Sequence, residues 1–131
     1  MKLDVWIEIL DPRLIEDLFE SLQYQKITME KQKKIIGEGI SLQYKSHFSL
    51  DAENVPSWLI ISAEIGKNIV LPIAVGILSN YIYDKLKDRK NINIVINNQS
   101  VEINAKKIEQ VILANININV YVKEEDKDTT T

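Results

Sequence analysis

Reactive side chains are few in this chain and do not cluster. His47 is the sole histidine, and cysteine is absent. Thiol nucleophiles, disulfides, Cys-type zinc sites and His-pair metal sites are therefore excluded. An imidazole can exchange a proton near neutral pH. A small ligand-binding or acid–base site would draw on His47 together with Glu38 and Lys45, close to the Gly37-Glu38-Gly39 joint. That joint is not a phosphate loop, since it lacks the third glycine and any Lys-Ser/Thr pair. Carboxylates are not grouped for general acid–base work. No catalytic, cofactor-binding or metal-ligating residue is assigned, and the expectation is a protein without catalysis of its own.

Residues suited to binding are easier to find. Lys26, Lys31, Lys33 and Lys34 stand against Glu30 alone, an electrostatic patch for an acidic partner. Residues 2–20 carry the opposite charge, with Asp4, Glu8, Asp11, Glu16, Asp17 and Glu20. Trp6 lies on the outer face of a half-buried strand. With His47 on the polar face of a later strand, Trp6 and the four lysines form the candidate interaction surface. The net charge of −3 argues against a nucleic-acid binder, which would be basic overall to meet phosphates.

The elements that must position these residues centre on 68–89, NIVLPIAVGILSNYIYDKLKDR. From Ile69 to Leu78 every residue is apolar, Gly or Pro. A spanning helix needs about 20 apolar residues, and a run of about 10–14 is more often a buried core helix. Pro72 fits the first turn, where a missing N–H costs nothing. Lys85, Lys87, Arg89 and Lys90 suit the carboxyl end of the dipole. Ile73, Val75, Ile77, Leu78 and Ile82 are the predicted core.

In chain order, Lys2–Leu10 alternates as a strand. Asp11-Pro12 starts an amphipathic helix ending near Gln23. Tyr24–Met29 is expected to be a strand and Glu30–Lys34 a polar turn or arm. Ile40–Leu50 alternates again. Trp58–Ile65 is a short apolar run in which periodicity alone does not separate helix from strand, and a helix that breaks at Gly66 is the favoured reading. After the central helix, 92–96 and 101–103 form a hairpin around a turn at 97–100. Asn104 caps a further helix, and Ile116–Val122 is a last strand. The result is an α+β fold: a mostly antiparallel sheet of about five or six strands, packed against the central apolar helix and two amphipathic helices. Residues 1–122 make one domain, and the charged tail 123–131, with no apolar residue, is expected to be disordered.

This order of elements resembles the effector-associated constant component family of bacterial conflict systems. The resemblance rests on four features. These are the Pro-started helix at Asp11-Pro12, the basic Lys26-Ile27-Thr28, the apolar helix 66–86 running into Lys85, Lys87, Arg89 and Lys90, and the hairpin leading into Ala105-Lys106-Lys107-Ile108-Glu109. It is clearest over 66–114 and looser over 3–29. It implies a non-catalytic accessory subunit that partners an effector, such as a protease or another toxic enzyme, in an anti-phage system. No cofactor is implied. A homo-oligomer is compatible with this reading. Asp4 and Glu8 interrupt the apolar start, so no signal peptide is expected and the cytoplasm is the expected compartment. Two alternatives are a membrane-associated signalling component inserting 58–83, with Trp58, Tyr81 and Tyr83 as interfacial anchors, and the small ligand-binding domain around His47.

Overall fold

A computed structural model describes residues 1–9, 13–49, 57–89, 92–96 and 99–114. The Asp11-Pro12 helix start, the strand expected at 116–122 and the tail 123–131 lie outside these residues. Six strands form one sheet: β1 (Lys2–Ile9), β2 (Lys33–Gly37), β3 (Ile40–Ser49), β4 (Ser57–Ile65), β5 (Asn93–Ile96) and β6 (Gln99–Val101). Their order is β2-β3-β4-β1-β5-β6, and every neighbouring pair is antiparallel. The helices are α1 (Arg13–Phe19), α2 (Tyr24–Thr28), α3 (Leu71–Leu86) and α4 (105–114). The expected α+β class is the one found.

Alternation places the core on one sheet face. Leu3, Val5 and Ile7 of β1 lie opposite Ala63, Ile61 and Leu59 of β4. Leu42 and Tyr44 of β3 meet Ala63 and Ile61 from the other side. All of them are buried, and Leu14, Ile15, Leu18, Ile27, Val75, Leu78, Ile82, Leu86, Ile108 and Ile112 from the helices complete the cluster. Val75, Leu78 and Ile82 are thus core residues as expected. Ile73 and Ile77 are not, being 60% and 36% exposed. α3 lies across one face of the sheet and buries only one stripe of its length, although its sequence is apolar all round.

Pro72 does sit in the first turn of α3. Asn104 Oδ1 accepts from the Lys106 and Lys107 N–H groups and caps α4 as its position predicts. Four local expectations are corrected. First, Tyr24–Thr28 is helical, not extended. Ser21 Oγ accepts the Gln23 N–H, the Thr28 hydroxyl donates to the Tyr24 carbonyl, and Ile27 enters the core. Second, α1 stops at Phe19 rather than near Gln23 because Glu20 adopts a left-handed φ of 48°. Third, the stretch read as a polar turn or arm enters β2 at Lys33, and the hairpin beyond 97–98 resumes at Gln99. Fourth, Trp58–Ile65 belongs to strand β4. Its run of apolar residues reflects a central strand covered on both faces near Ile60, so period-two alternation is lost there. The 58–83 segment is therefore strand, loop and helix. Among the described residues no helix is long and apolar enough to cross a membrane.

Gly39 turns the β2–β3 hairpin at φ 72°. A Cβ there would also press on the end of the Ile69 side chain, so glycine suits this turn at least strain.

Candidate interaction surface

The face of the sheet opposite the helices carries Asp4, Trp6 and Glu8 from β1, which follow from period two. Trp6 lies opposite Ile60 of β4 and Val95 of β5. Trp58 lies opposite Glu8, one diagonal step from Trp6. The two indoles pack edge-on, with ring centroids 6.2 Å apart and planes at 65°. Ile60, whose same-face neighbours are Trp6, Ser46, Trp58 and Ser62, is only 7% exposed. Trp6 itself remains 38% exposed. An aromatic–aliphatic centre thus spans three strands where no described helix lies.

Polar ties flank that centre. Lys45 Nζ stands 2.5 Å from Asp4, Lys33 Nζ 3.0 Å from Glu64, and Asn93 Nδ2 donates to Glu8 at 3.3 Å. The hydrogen bond from Lys33 holds the Glu64 carboxyl below its ordinary range, and the positive charge of Lys33 adds to this. The two indoles are thus partly exposed side chains bordered by exposed ion pairs.

The other candidate residues do not gather around Trp6. Alternation along β2 sends Lys33 to the open face and Lys34 to the helix side, where Lys34 Nζ reaches Glu20 at 2.9 Å. Lys31 donates to the Lys45 carbonyl at 2.6 Å and lies over the Tyr44 ring. Lys26 is exposed on α2. A register shift between Tyr44 and Ser46 takes Lys45 out of the β3–β4 ladder. His47 consequently lies on the same side as Tyr44, and the two share a hydrogen bond through His47 Nδ1. Alternation through β3 predicts the opposite face for His47; the bulge reverses it. Burial pushes the Tyr44 phenol up from its usual range, and Tyr24 adds to this. Glu38 sits at the hairpin turn. His47 lies seven residues beyond the start of β3, roughly 23 Å away at ~3.3 Å per residue, so the suggested Glu38–His47 site is not assembled.

Helix-side carboxylates are tied to cations. Glu20 receives Lys85 at 2.8 Å as well as Lys34, and these hydrogen bonds and charges hold its carboxyl down to about 2. Asp17 pairs with Arg89, and Asp84 with Lys87 at 3.0 Å. Glu20, Asp17 and Asp84 line a cleft of about 350 Å³ between α1 and α3. An acid held ionised near neutral pH is a poor proton donor there. The two Glu20 pairs tie the end of α1 to β2 and α3. Tyr81 is half-buried and donates to the Leu18 carbonyl on the same seam; burial and then Glu20 push its phenol up. Among the described residues no group of three or more His, Asp or Glu side chains could hold a metal ion.

Trp6 was identifiable from β1 alternation. Trp58, Ile60 and Val95 were not, because their adjacency depends on the β4–β1–β5 order. Compared with known proteins, the chain matches no family model, no curated protein and no solved structure.

Proposed function

We propose that this chain is a non-catalytic protein-interaction module that docks a protein partner on its open sheet face. One observation supports the reading above others: Trp6 and Trp58 stand edge-on over Ile60 on a face without a described helix, flanked by surface ion pairs. Indoles in that setting are favoured anchors, since they desolvate a large area with little rotamer entropy lost. In this reading the partner is an effector enzyme of a bacterial conflict system, the expectation carried by the family resemblance, and the chain is its cytoplasmic accessory subunit.

The test is affinity purification of the tagged chain from its native host, with mass spectrometry of what accompanies it, beside the same purification of Trp6→Ala. An effector recovered with the wild type and lost with a folded Trp6→Ala variant supports the proposal. Identical recoveries from the two would contradict the open face as the docking surface.

A further inference from the structure

The helix side carries a second exposed apolar region that the open-face reading does not use. α3 has no charged residue before Asp84. A helix lying on a sheet ordinarily turns a charged or polar face to water. Here the outward stripe is Val70, Ile73, Ile77 and Asn80, with Asp84 next along it; Val70 and Ile73 are well exposed, while Ile77 leans on Gly37 of β2 and keeps 36% of its surface exposed. Gly76 lies beside this stripe, and a Cβ built on it would meet nothing within 4 Å. The result is a ridge of branched side chains next to a notch, the relief that a second helix fills at close approach.

We infer that this ridge is an isologous interface and that its occupant is α3 of a second copy of the chain, running antiparallel about a two-fold axis near Val75. The pattern is self-complementary. An antiparallel pairing centred there sets Ile73 against Ile77 of the second copy and Val70 against Asn80. The same centre brings Asp84 to the level of Lys67 of the second copy, just ahead of that copy's helix. Both groups are exposed, and the Asp84 side chain, 64% exposed beside Lys87, has room for a second cation. The uncharged stripe between them allows two identical surfaces to meet without like-charge repulsion. Antiparallel packing also opposes the helix dipoles and puts a carboxylate near a helix N-terminus.

Sedimentation equilibrium of the full chain over a concentration series tests this directly. The expected result is a concentration-dependent dimer. Ile73→Asp weakens it by about a hundredfold or more, because a carboxylate would be buried against isoleucine. Its circular dichroism stays close to wild type, and its Tm matches wild type in dilute solution where both are monomeric, as Ile73 is exposed in the single chain. Lys67→Glu and Asp84→Lys each weaken the dimer, and the double swap restores it. Because the chain lacks cysteine, Gly76→Cys introduces one thiol beside the two-fold axis. Mild oxidation then yields a disulfide-linked dimer faster than Ile35→Cys on the sheet edge. A monomer at every concentration, a dimer indifferent to Ile73→Asp, or equal cross-linking from positions 76 and 35 would overturn the assignment. None of these variants touches the Trp6 surface, so the two proposals fail separately.

Discussion

The two faces of the sheet are built from different side chains. On the helix face the strands present Leu3, Val5, Ile7, Leu42, Leu59, Ile61 and Ile94, nearly all aliphatic and each close to fully buried. Its margin is closed by Glu20 between Lys34 and Lys85 and by Tyr81 on the Leu18 carbonyl. On the open face the same strands present two indoles, Ile60 and Val95, with ion pairs beside them. Aliphatic packing and satisfied polar groups account for the fold. The indoles contribute less to it, since Trp6 keeps much of its surface in water. In the proposed reading these partly exposed indoles serve recognition more than folding. α3 repeats this contrast on a smaller scale, with Leu78 and Ile82 inward and Ile73 and Ile77 outward.

The sharpest break of this contrast comes from paired substitutions in α3. Leu78→Asp is expected to unfold the chain, because an unpaired charge in a fully buried site costs several kcal/mol. Ile73→Asp, the same change five residues away, leaves the fold intact. Circular dichroism and thermal melts distinguish them, and a folded Leu78→Asp variant would misplace the core. On the open face, Trp6→Ala is expected to cost only about 1–2 kcal/mol of stability, since the ring is partly exposed. Denaturant titration checks this; a loss like that of Leu78→Asp would make Trp6 a folding residue.

The margin of the helix face gives a pH test. The Glu20 carboxyl is held down to about 2 from an ordinary value of 4.5. A depressed acid stabilises the fold above its unfolded value, and the contribution is lost as pH falls through the folded value. Stability should therefore decline between pH ~4.5 and ~2, and Glu20→Gln should flatten that decline. The carboxylate is partly exposed, so screening by solvent limits the effect to about 1 kcal/mol or less, smaller still in high salt. Thermal melts across that pH range measure it, and an equally steep decline in Glu20→Gln would remove Glu20 from the account. The smallest effect has the opposite sign. Gly76→Ala should stabilise the isolated chain by about 0.5–1 kcal/mol, as helix propensity rises where nothing obstructs a methyl group. A lower melting temperature in dilute solution would show that Gly76 is packed within the chain.

Much of the fold was legible in the sequence where a pattern ran long enough. The uninterrupted apolar run with Pro72 at its start marks α3, strict alternation marks β1, and Asn104 marks the start of α4. Three elements were not legible for identifiable reasons. α2 is a five-residue helix, too short for a 3.6-residue period to emerge. β4 is flanked on both sides, and Ile60 under the indoles erases alternation. In β3 the bulge at Lys45 reverses the faces of Ser46 and His47, so His47 joins Tyr44. The candidate surface was half legible for the same reasons. Trp6 follows from alternation, but Trp58 opens a short apolar run whose period does not separate strand from helix. Lys33 and Lys34, adjacent in sequence, face opposite sides of β2 and bind different carboxylates.

The two tryptophans of the chain both lie on the open face, so fluorescence excited beyond tyrosine absorption reads that face. The measurement that tests the central claim most directly is tryptophan emission and acrylamide quenching of the chain, titrated with the partner recovered from the host, with a tryptophan-free version of that partner or its own spectrum subtracted. Docking on the open face predicts a blue shift and a fall in quenching that saturate together with complex formation. A complex that forms with emission and quenching unchanged would place the partner elsewhere and contradict the account.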